Sequence, residues 1–296
     1  MIVVTTPTGN IGRQVVETLL AQDEAVRVIV RDPARLAPGT RERVEVVVGT
    51  HDTPAIVDQA FEGADAVFWL VPPNPRAPSL EAAYLDFTRP ACEAFRSRGV
   101  GRVVGVSALG RGVTDKAGLV TASLAMDDLI AASGVAYRAL AMPSFMDNLL
   151  RQVAPIRDQG VFYSPLAGDR RNPTCATRDI ASVAARLLRD RSWSGQGSVA
   201  VLGPEDLSFD EIARIMSEVL GKPVRFQQIP EDAFKAGLIK AGWSDAMAQG
   251  TLDMMRAKDQ GLDNAEPRTP ESTTPTTFRQ WCEAVLKPAV TSSPAR

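Results

Sequence analysis

The sequence contains a single histidine, His51, and only three cysteines, Cys92, Cys175 and Cys282. A metal site built from several histidines is therefore excluded, and a Ser-His-Asp triad would have to use His51. The cysteines are odd in number, far apart and without Cys-x-x-Cys spacing, which predicts neither a disulfide framework nor a zinc site. We expect ordinary thiols in a reducing compartment and no bound metal.

Long apolar runs and an excess of one charge are missing too. Nowhere do 18 apolar residues follow one another, and the N-terminus lacks the segments of a secretory signal. The 33 Lys and Arg residues nearly balance 35 Asp and Glu residues, so there is no basic stripe for a nucleic-acid backbone. We therefore expect a cytoplasmic monomer or homodimer whose partner is a small-molecule substrate, with no nucleic acid and no membrane bound.

Short apolar runs alternate with helical patterns in the first half of the chain. The runs that predict strands are MIVVTT, VRVIV, DAVFWLV, RVVGVSA and VAYRALAMPSF. Strands separated by helices of this length are typical of an α/β fold with a doubly wound parallel sheet of the Rossmann type. Continuous Val and Ile runs also indicate strands that are buried on both faces.

Beyond Arg151 the order of elements is less regular. RDIASVAARLLRD and SFDEIARIMSEVLG predict helices, the second with Ser208 as N-cap three residues before Glu211, and GSVAVLG and KPVRFQQIP predict strands. We expect a dinucleotide-binding domain over residues 1–150 and a smaller α+β lobe over 151–287, with interleaving of the lobe and the sheet left open. A tail follows over 288–296, of which TSSPAR is expected to be disordered.

The segment TTPTGNIG, between the first strand and the first helix, is a candidate phosphate-binding loop. Such a loop aims unpaired backbone N–H groups and the positive end of a helix dipole at a pyrophosphate. Gly9 and Gly12 permit close approach and close packing, but Thr6 replaces the glycine that usually makes the turn. Either the turn is wider, or Thr6 adopts the glycine-like conformation. A plain turn without a ligand is the alternative.

Arg31 follows the second strand, where dinucleotide folds carry an acid for NAD or an arginine for the 2′-phosphate of NADP. Its bidentate guanidinium suits a phosphate and stacking on adenine. The alternative is a surface arginine paired with Asp32. The position favours NADP(H) over NAD(H).

The motifs TPTGNIG, VRVIVRDP, AFEGADAVFWLVPP, GRVVGVSALG and TRDIASVAARLL resemble, in this order, the NmrA-like members of the atypical short-chain dehydrogenase/reductase group. The resemblance runs from Met1 to about Lys287 and implies a Rossmann domain that binds NADP(H) beside a lobe that forms the substrate cleft. One departure is Gly49-Thr50 before His51, where relatives often have Gly-Asp. The cofactor contacts that the resemblance implies are Thr6, Thr8, Gly9, Asn10, Ile11, Gly12, Arg31, Leu70, Val71, Pro72, Ser107, Ala108, Pro143, Ser144 and Phe145.

The Tyr-x-x-x-Lys pair of many short-chain dehydrogenases is missing from the helix after the serine strand, which reads TASLAMDDLIAAS. In that pair the lysine lowers the pKa of the tyrosine and makes its hydroxyl a usable acid. Here Lys116 precedes the helix, and the helix sequence contains no tyrosine. Asp127 and Asp128 are either acids or a solvated helix face. Ser107 is the candidate catalytic residue, and the alternative is that it only caps the strand end.

Two function classes remain. The first is a reductase in which NADPH supplies hydride to an electron-poor, flat hydrophobic acceptor of the quinone, enone, imine or azo type. The second is a non-catalytic NADP(H)-binding redox sensor. We favour the reductase because aromatic and Met side chains are expected to line the substrate cleft, although the same residues would serve as the core of the lobe. They are Phe145, Phe162, Tyr163, Trp243 and Met247, the last on a helix with Met254 and Met255.

Overall fold

The computed structural model describes residues 1–112 and 116–292. They form two compact units. The first unit comprises Met1–Ala108, Val120–Ala141 and Ile180–Val199, and the second comprises Leu109–Leu119, Met142–Asp179 and the chain from Ala200 onward. The structural division therefore differs from the predicted boundary at residue 150, because the chain returns to the first unit after that point. The segments of the two units alternate along the sequence.

The strands are short, as is usual for globular proteins. In chain order they are β1 (Ile2–Val4), β2 (Val26–Val30), β3 (Glu45–Val48), β4 (Ala66–Trp69), β5 (Arg102–Ala108), β6 (Ala136–Met142), β7 (Ser144–Phe145), β8 (Val161–Ser164), β9 (Asn172–Cys175), β10 (Gln196–Ala200), β11 (Asp206–Leu207) and β12 (Arg225–Gln228).

The helices connect these strands and cover the sheets. They are α1 (Asn10–Leu20), α2 (Pro38–Arg41), α3 (Pro54–Phe61), α4 (Phe87–Ser97), α5 (Leu119–Ala132), α6 (Val153–Gln159), α7 (Thr177–Arg189), α8 (Phe209–Leu220), α9 (Glu231–Lys240), α10 (Asp245–Asp259), α11 (Phe278–Trp281) and α12 (Lys287–Thr291). No helix within the described ranges combines the length and the apolar character that crossing a bilayer requires.

The first unit is built on a seven-stranded sheet in the order β10-β6-β5-β4-β1-β2-β3. β1 pairs in parallel with β2 on one side and with β4 on the other. The order of the strands therefore reverses between β1 and β4, which is the switch point where doubly wound folds bind ligands. Both central strands are fully buried, with Trp69 and Phe68 among the largest buried side chains. The predicted Rossmann-type fold is confirmed.

The second unit contains a three-stranded sheet, β11-β9-β7, and a two-stranded sheet, β12-β8. Its core contains Phe162, Met216, Phe278 and Trp281. Helix α8 begins at Ser208, whose hydroxyl accepts the N–H of Glu211 in a complete capping box, as the spacing predicts.

The C-terminal segment differs in part from the predicted tail. Residues 287–291 form α12, and Val290 is buried in the core of the second unit. The helix continues because an apolar side chain at this position packs against that core. The last four residues of TSSPAR, 293–296, lie outside the described part of the chain.

Candidate nucleotide-binding and catalytic site

The TTPTGNIG segment forms a tight turn between β1 and α1. Thr6 has φ 51°, so a threonine adopts the left-handed conformation that usually requires glycine. Its carbonyl oxygen accepts the N–H of Gly9 at 3.0 Å. A Cβ atom on Gly12 would lie only 2.2 Å from that oxygen, so any side chain at position 12 would displace the turn. The turn is therefore not wider: Thr6 itself adopts the glycine-like conformation, which was the second of the two alternatives.

The loop leaves donors available for an anion. Gly9 is the N-cap of α1, offers no side-chain cap, and no acidic residue occupies the first turn. The first backbone N–H groups of α1, from Asn10 to Gly12, therefore have no capping carboxylate and carry the positive end of the helix dipole. Thr6 Oγ1 is also buried without a hydrogen-bond partner among the described residues. An uncapped helix N-terminus and an orphaned hydroxyl fit a dinucleotide phosphate at this loop.

Arg31 is exposed directly after β2. The Asp32 carboxylate accepts the N–H of Ala34 at 3.0 Å and caps the short 3₁₀ helix Pro33–Arg35. Within residues 1–112 and 116–292, the Arg31 guanidinium makes no hydrogen bond or ion pair. The surface pair with Asp32 is therefore not formed, and the guanidinium is available for a phosphate.

His51 fixes the segment after β4. Its Nε2 lies 3.0 Å from the carbonyl oxygen of Leu70. Its ring packs edge-on against Trp69 and Phe87, with ring centroids 5.0 and 4.8 Å apart. Burial lowers the pKa of His51 to about 4, so the ring is neutral near pH 7 and Nε2 donates to the carbonyl. On the other side, the Leu70 N–H donates to Thr5 Oγ1 at 2.9 Å. Leu70, which begins the predicted Leu70–Pro72 contact, is therefore held on two sides.

Ser107 lies near the carboxyl end of β5 and is bound to Asp127. Its hydroxyl donates to Oδ2 of Asp127 at 2.5 Å, and the Tyr137 hydroxyl donates to Oδ1 at 2.6 Å. Asp127 is 3% exposed, whereas Asp128 is exposed. The solvated-face alternative is thus wrong for Asp127 and correct for Asp128. Adjacent helix residues point about 100° apart, so only one of the two can face the sheet.

Glycine makes room for this arrangement. A Cβ atom on Gly105 would lie 2.2 Å from the Tyr137 hydroxyl oxygen, so only glycine admits that hydroxyl. Sequence reasoning missed Tyr137 as a partner of Asp127. The available signal was a glycine two residues before Ser107, on the same face of the strand.

Ser107 uses its only hydroxyl proton in the hydrogen bond to Asp127. A carboxylate accepts hydrogen bonds only, so the two hydroxyl groups are the donors and Ser107 Oγ presents lone pairs outward. Because Ser107 is bound to Asp127 and His51 is bound to Leu70, a Ser-His-Asp triad is not assembled. Ser107 can orient a donor group but does not release its own proton easily.

Pro143 and Phe145 belong to the second unit, which contains a cavity of about 130 Å³. Phe145, Phe162 and Tyr163, three of the predicted substrate contacts, line this cavity together with Met255. Trp243 and Met247 do not. Trp243 lies between α9 and α10, and Met247 is buried in α10.

The cysteines take no part in either region. Cys92, Cys175 and Cys282 are buried free thiols, and burial raises the pKa of Cys92 and of Cys282 to about 12. Among the residues that the structure describes, no cluster of three His, Cys, Asp or Glu side chains could hold a metal ion.

A glycine-dependent turn before an uncapped helix, at the switch point of a doubly wound sheet, defines a dinucleotide-binding α/β protein. Comparison with family models agrees: a model described as NAD(P)H-binding matches residues 7–191, and the NmrA-like family model matches residues 127–281. The chain belongs to the NmrA-like family and carries an NAD(P)H-binding domain.

Relatives of known activity cover nearly the whole chain. A (4-alkanoyl-5-oxo-2,5-dihydrofuran-3-yl)methyl phosphate reductase of Streptomyces griseus is 32% identical over 286 residues, 95% of this chain and 96% of the relative. An NAD(P)H azoreductase of Xenophilus azovorans is 29% identical and covers 86% of each chain. Among solved structures, an NADPH-dependent quinone oxidoreductase from Escherichia coli superposes with a TM-score of 0.76 at 23% identity, covering 95% of this chain and 98% of that one.

Proposed function

We propose that the protein is an NADPH-dependent reductase that transfers hydride to an electron-poor, flat acceptor of the quinone or azo type. The cofactor part is supported by the uncapped N-terminus of α1 and by Arg31 at the end of β2, whose guanidinium has no partner among the described residues. The reductase part is supported by the activities named for the relatives, two of which are a reductase and an azoreductase that match most of this chain.

The observation that carries the choice of acceptor is the hydrogen bond from Ser107 to Asp127. Bound NADPH would supply the hydride. Reduction of a quinone also takes one proton, and a hydroxyl whose proton is held by a buried carboxylate is a poor source of it. The acceptor must therefore tolerate negative charge until water delivers the proton. Quinones and azo compounds meet this condition, and simple ketones do not. An iminium ion needs no proton, because hydride transfer leaves it a neutral amine.

The residues of the chain then have distinct tasks. The N-terminus of α1 binds the pyrophosphate, and Arg31 binds the 2′-phosphate with a bidentate contact. Leu70, fixed by His51 and Thr5, forms a rigid wall beside the nucleotide. Ser107 Oγ presents only lone pairs, so it accepts a hydrogen bond from a donor group of the bound cofactor or substrate. It orients that group without giving up a proton.

NADPH oxidation measured against a panel of acceptors tests the proposal. We expect turnover with an electron-poor quinone, above the rate without protein, and none with cyclohexanone. Ser107→Ala should lower the rate only modestly, because it removes an orienting group.

Robust ketone reduction that collapses in Ser107→Ala would overturn this mechanism. Tight NADPH binding without turnover on quinones, enones, azo compounds or iminium ions would instead assign the protein to the redox-sensor class. The redox-sensor function is the second candidate because α5 contains no Tyr-x-x-x-Lys pair.

A further inference from the structure

The cavity of the second unit has one charged wall. Lys258 of α10 and Asp263 of the 3₁₀ helix Leu262–Asn264 both line it. They form a buried ion pair, with side chains 6% and 2% exposed. The ammonium donates to Asp263 Oδ2, while Asp263 Oδ1 is buried and has no hydrogen-bond partner in the described part of the chain. Asn172, also on the lining, has a buried Oδ1 that no described residue satisfies.

Such unpartnered atoms indicate a missing hydrogen-bond donor. A buried acceptor left unsatisfied costs about 1–3 kcal/mol, and more when it is charged, so native structures contain few of them. The lysine ammonium has three protons, and within the described residues Asp263 takes the only one that is bonded. The wall therefore offers a charged acceptor and spare donors side by side.

The rest of the lining is mostly apolar and sets the size of an occupant. Phe145, Phe209, Met255 and Phe278 are among the side chains that enclose the space. Its volume of about 130 Å³ is close to that of a cavity of about 150 Å³ known to hold benzene. The space therefore fits one six-membered ring.

We propose that this cavity binds a single aromatic ring that carries a hydroxyl group, as in a phenol. The hydroxyl donates its proton to Asp263 Oδ1, and its oxygen accepts a proton from the Lys258 ammonium. A hydroxyl both donates and accepts, so it complements this wall, whereas a methyl or a halogen leaves the carboxylate oxygen unsatisfied. Binding of such a ring does not depend on the proposed function. The proposed function is needed only for the further step that the ring belongs to the hydride acceptor, which would then have a phenolic end.

Binding of two fluorinated probes to the full chain, without NADPH, tests the assignment. A ¹⁹F NMR titration compares 4-fluorophenol with 4-fluorotoluene, which has a similar size but no donor. We expect 4-fluorophenol to bind at least about tenfold more tightly, as hydrogen bonds to charged groups allow. Equal affinities for the two probes, or no binding of either, would overturn the proposal; the second result would mean that water alone satisfies the polar wall.

Two variants locate the site. Asp263→Asn places an amide where the carboxylate stood, and we expect the preference for the phenol to fall to about the level of 4-fluorotoluene. Asp232→Asn, an exposed carboxylate on α9, is the matched control and should bind as the original chain does. Ile212→Phe fills the cavity, so both probes should lose binding even if Asp263→Asn folds poorly. A preference that survives in both Asp263→Asn and Ile212→Phe would place the probe elsewhere and overturn the assignment.

The test separates this inference from the proposed function. Quinone reduction without phenol binding would overturn the inference alone. Phenol binding without NADPH oxidation would support the inference and overturn the proposed reductase. If both hold, 4-fluorophenol should inhibit reduction competitively with the acceptor, and a purely non-competitive effect would overturn the assignment of the ring to the acceptor.

Discussion

The carbonyl oxygen of Thr6 lies 2.2 Å from the position that a Cβ atom on Gly12 would occupy. The helix and the turn therefore meet with no room for a side chain. The same oxygen accepts the Gly9 N–H, so a displacement of Thr6 would move the whole loop.

Gly12→Val should therefore abolish NADPH binding in titration calorimetry, because the turn can no longer hold the donors in place. Gly39→Val is a matched control, since a Cβ at Gly39 meets nothing within 4 Å. Thr6→Gly should leave binding intact or improve it, because glycine adopts a positive φ without strain. Normal NADPH binding in a folded Gly12→Val variant would show that this loop is not the nucleotide site.

Arg31→Ala should weaken NADPH binding by about tenfold to a hundredfold and leave NADH nearly unchanged. The loss corresponds to about 1.5–3 kcal/mol for a charge-assisted contact to the 2′-phosphate, which NADH lacks. Dissociation constants for both cofactors at one fixed salt concentration check this. Arg96→Ala, an exposed arginine of α4, should change neither value. Equal losses for the two cofactors would identify Arg31 as a structural residue instead.

Tyr137→Phe should lower the free energy of unfolding by about 1.5–3 kcal/mol, because it removes a hydrogen bond to a buried carboxylate. Urea denaturation gives the value. Tyr163→Phe is the comparison, since that hydroxyl makes only a long contact of 3.4 Å with Gln159 in a partly exposed position. Equal losses of stability in Tyr137→Phe and Tyr163→Phe would contradict a stabilising role for the hydrogen bond to Asp127.

Acid should destabilise the chain through His51. Burial lowers the pKa of this histidine from 6.5 to about 4, so the folded state holds it neutral while the unfolded chain protonates it. The contribution is complete above pH 6.5 and is lost as the pH falls toward 4, by about 1.4 kcal/mol per pH unit. Between pH 6.5 and 5, the original chain should lose about 1.5 kcal/mol more than His51→Gln in urea denaturation. Parallel curves for the two proteins would refute this.

The sheet of the first unit could be predicted because its strands are continuous apolar runs separated by helices of regular length. Near the site, the sequence limited Thr6 to two conformations, and the backbone of the folded turn was needed to choose between them. The sequence placed Arg31 at a strand end. That it has no partner within residues 1–112 and 116–292 depends on the fold, in which Asp32 caps the next turn instead. Whether these residues contact NADPH stays a prediction.

The buried polar groups could not be predicted from the sequence. Asp127 and Asp128 look alike in a helix whose residues are mostly apolar, and only the packing of α5 decides which one faces the sheet. Lys258 and Asp263 are five residues apart, and they meet because the chain reverses at Gly261, which has φ 93°. No periodic pattern encodes a reversal of that kind, so the charged wall of the cavity appears only in the folded chain.

The return of the chain to the first unit also leaves one edge of the seven-stranded sheet open during synthesis. β6 lies between β5 and β10, and β10 ends at residue 200, far along the chain from β6. While the ribosome is still translating the intervening segment, β6 is an open edge with unpaired backbone groups. Such an edge is a template for pairing with another chain. The nascent protein is therefore most prone to aggregation after β6 has emerged and before β10 has, and a chain truncated at residue 150 would keep that exposed edge permanently.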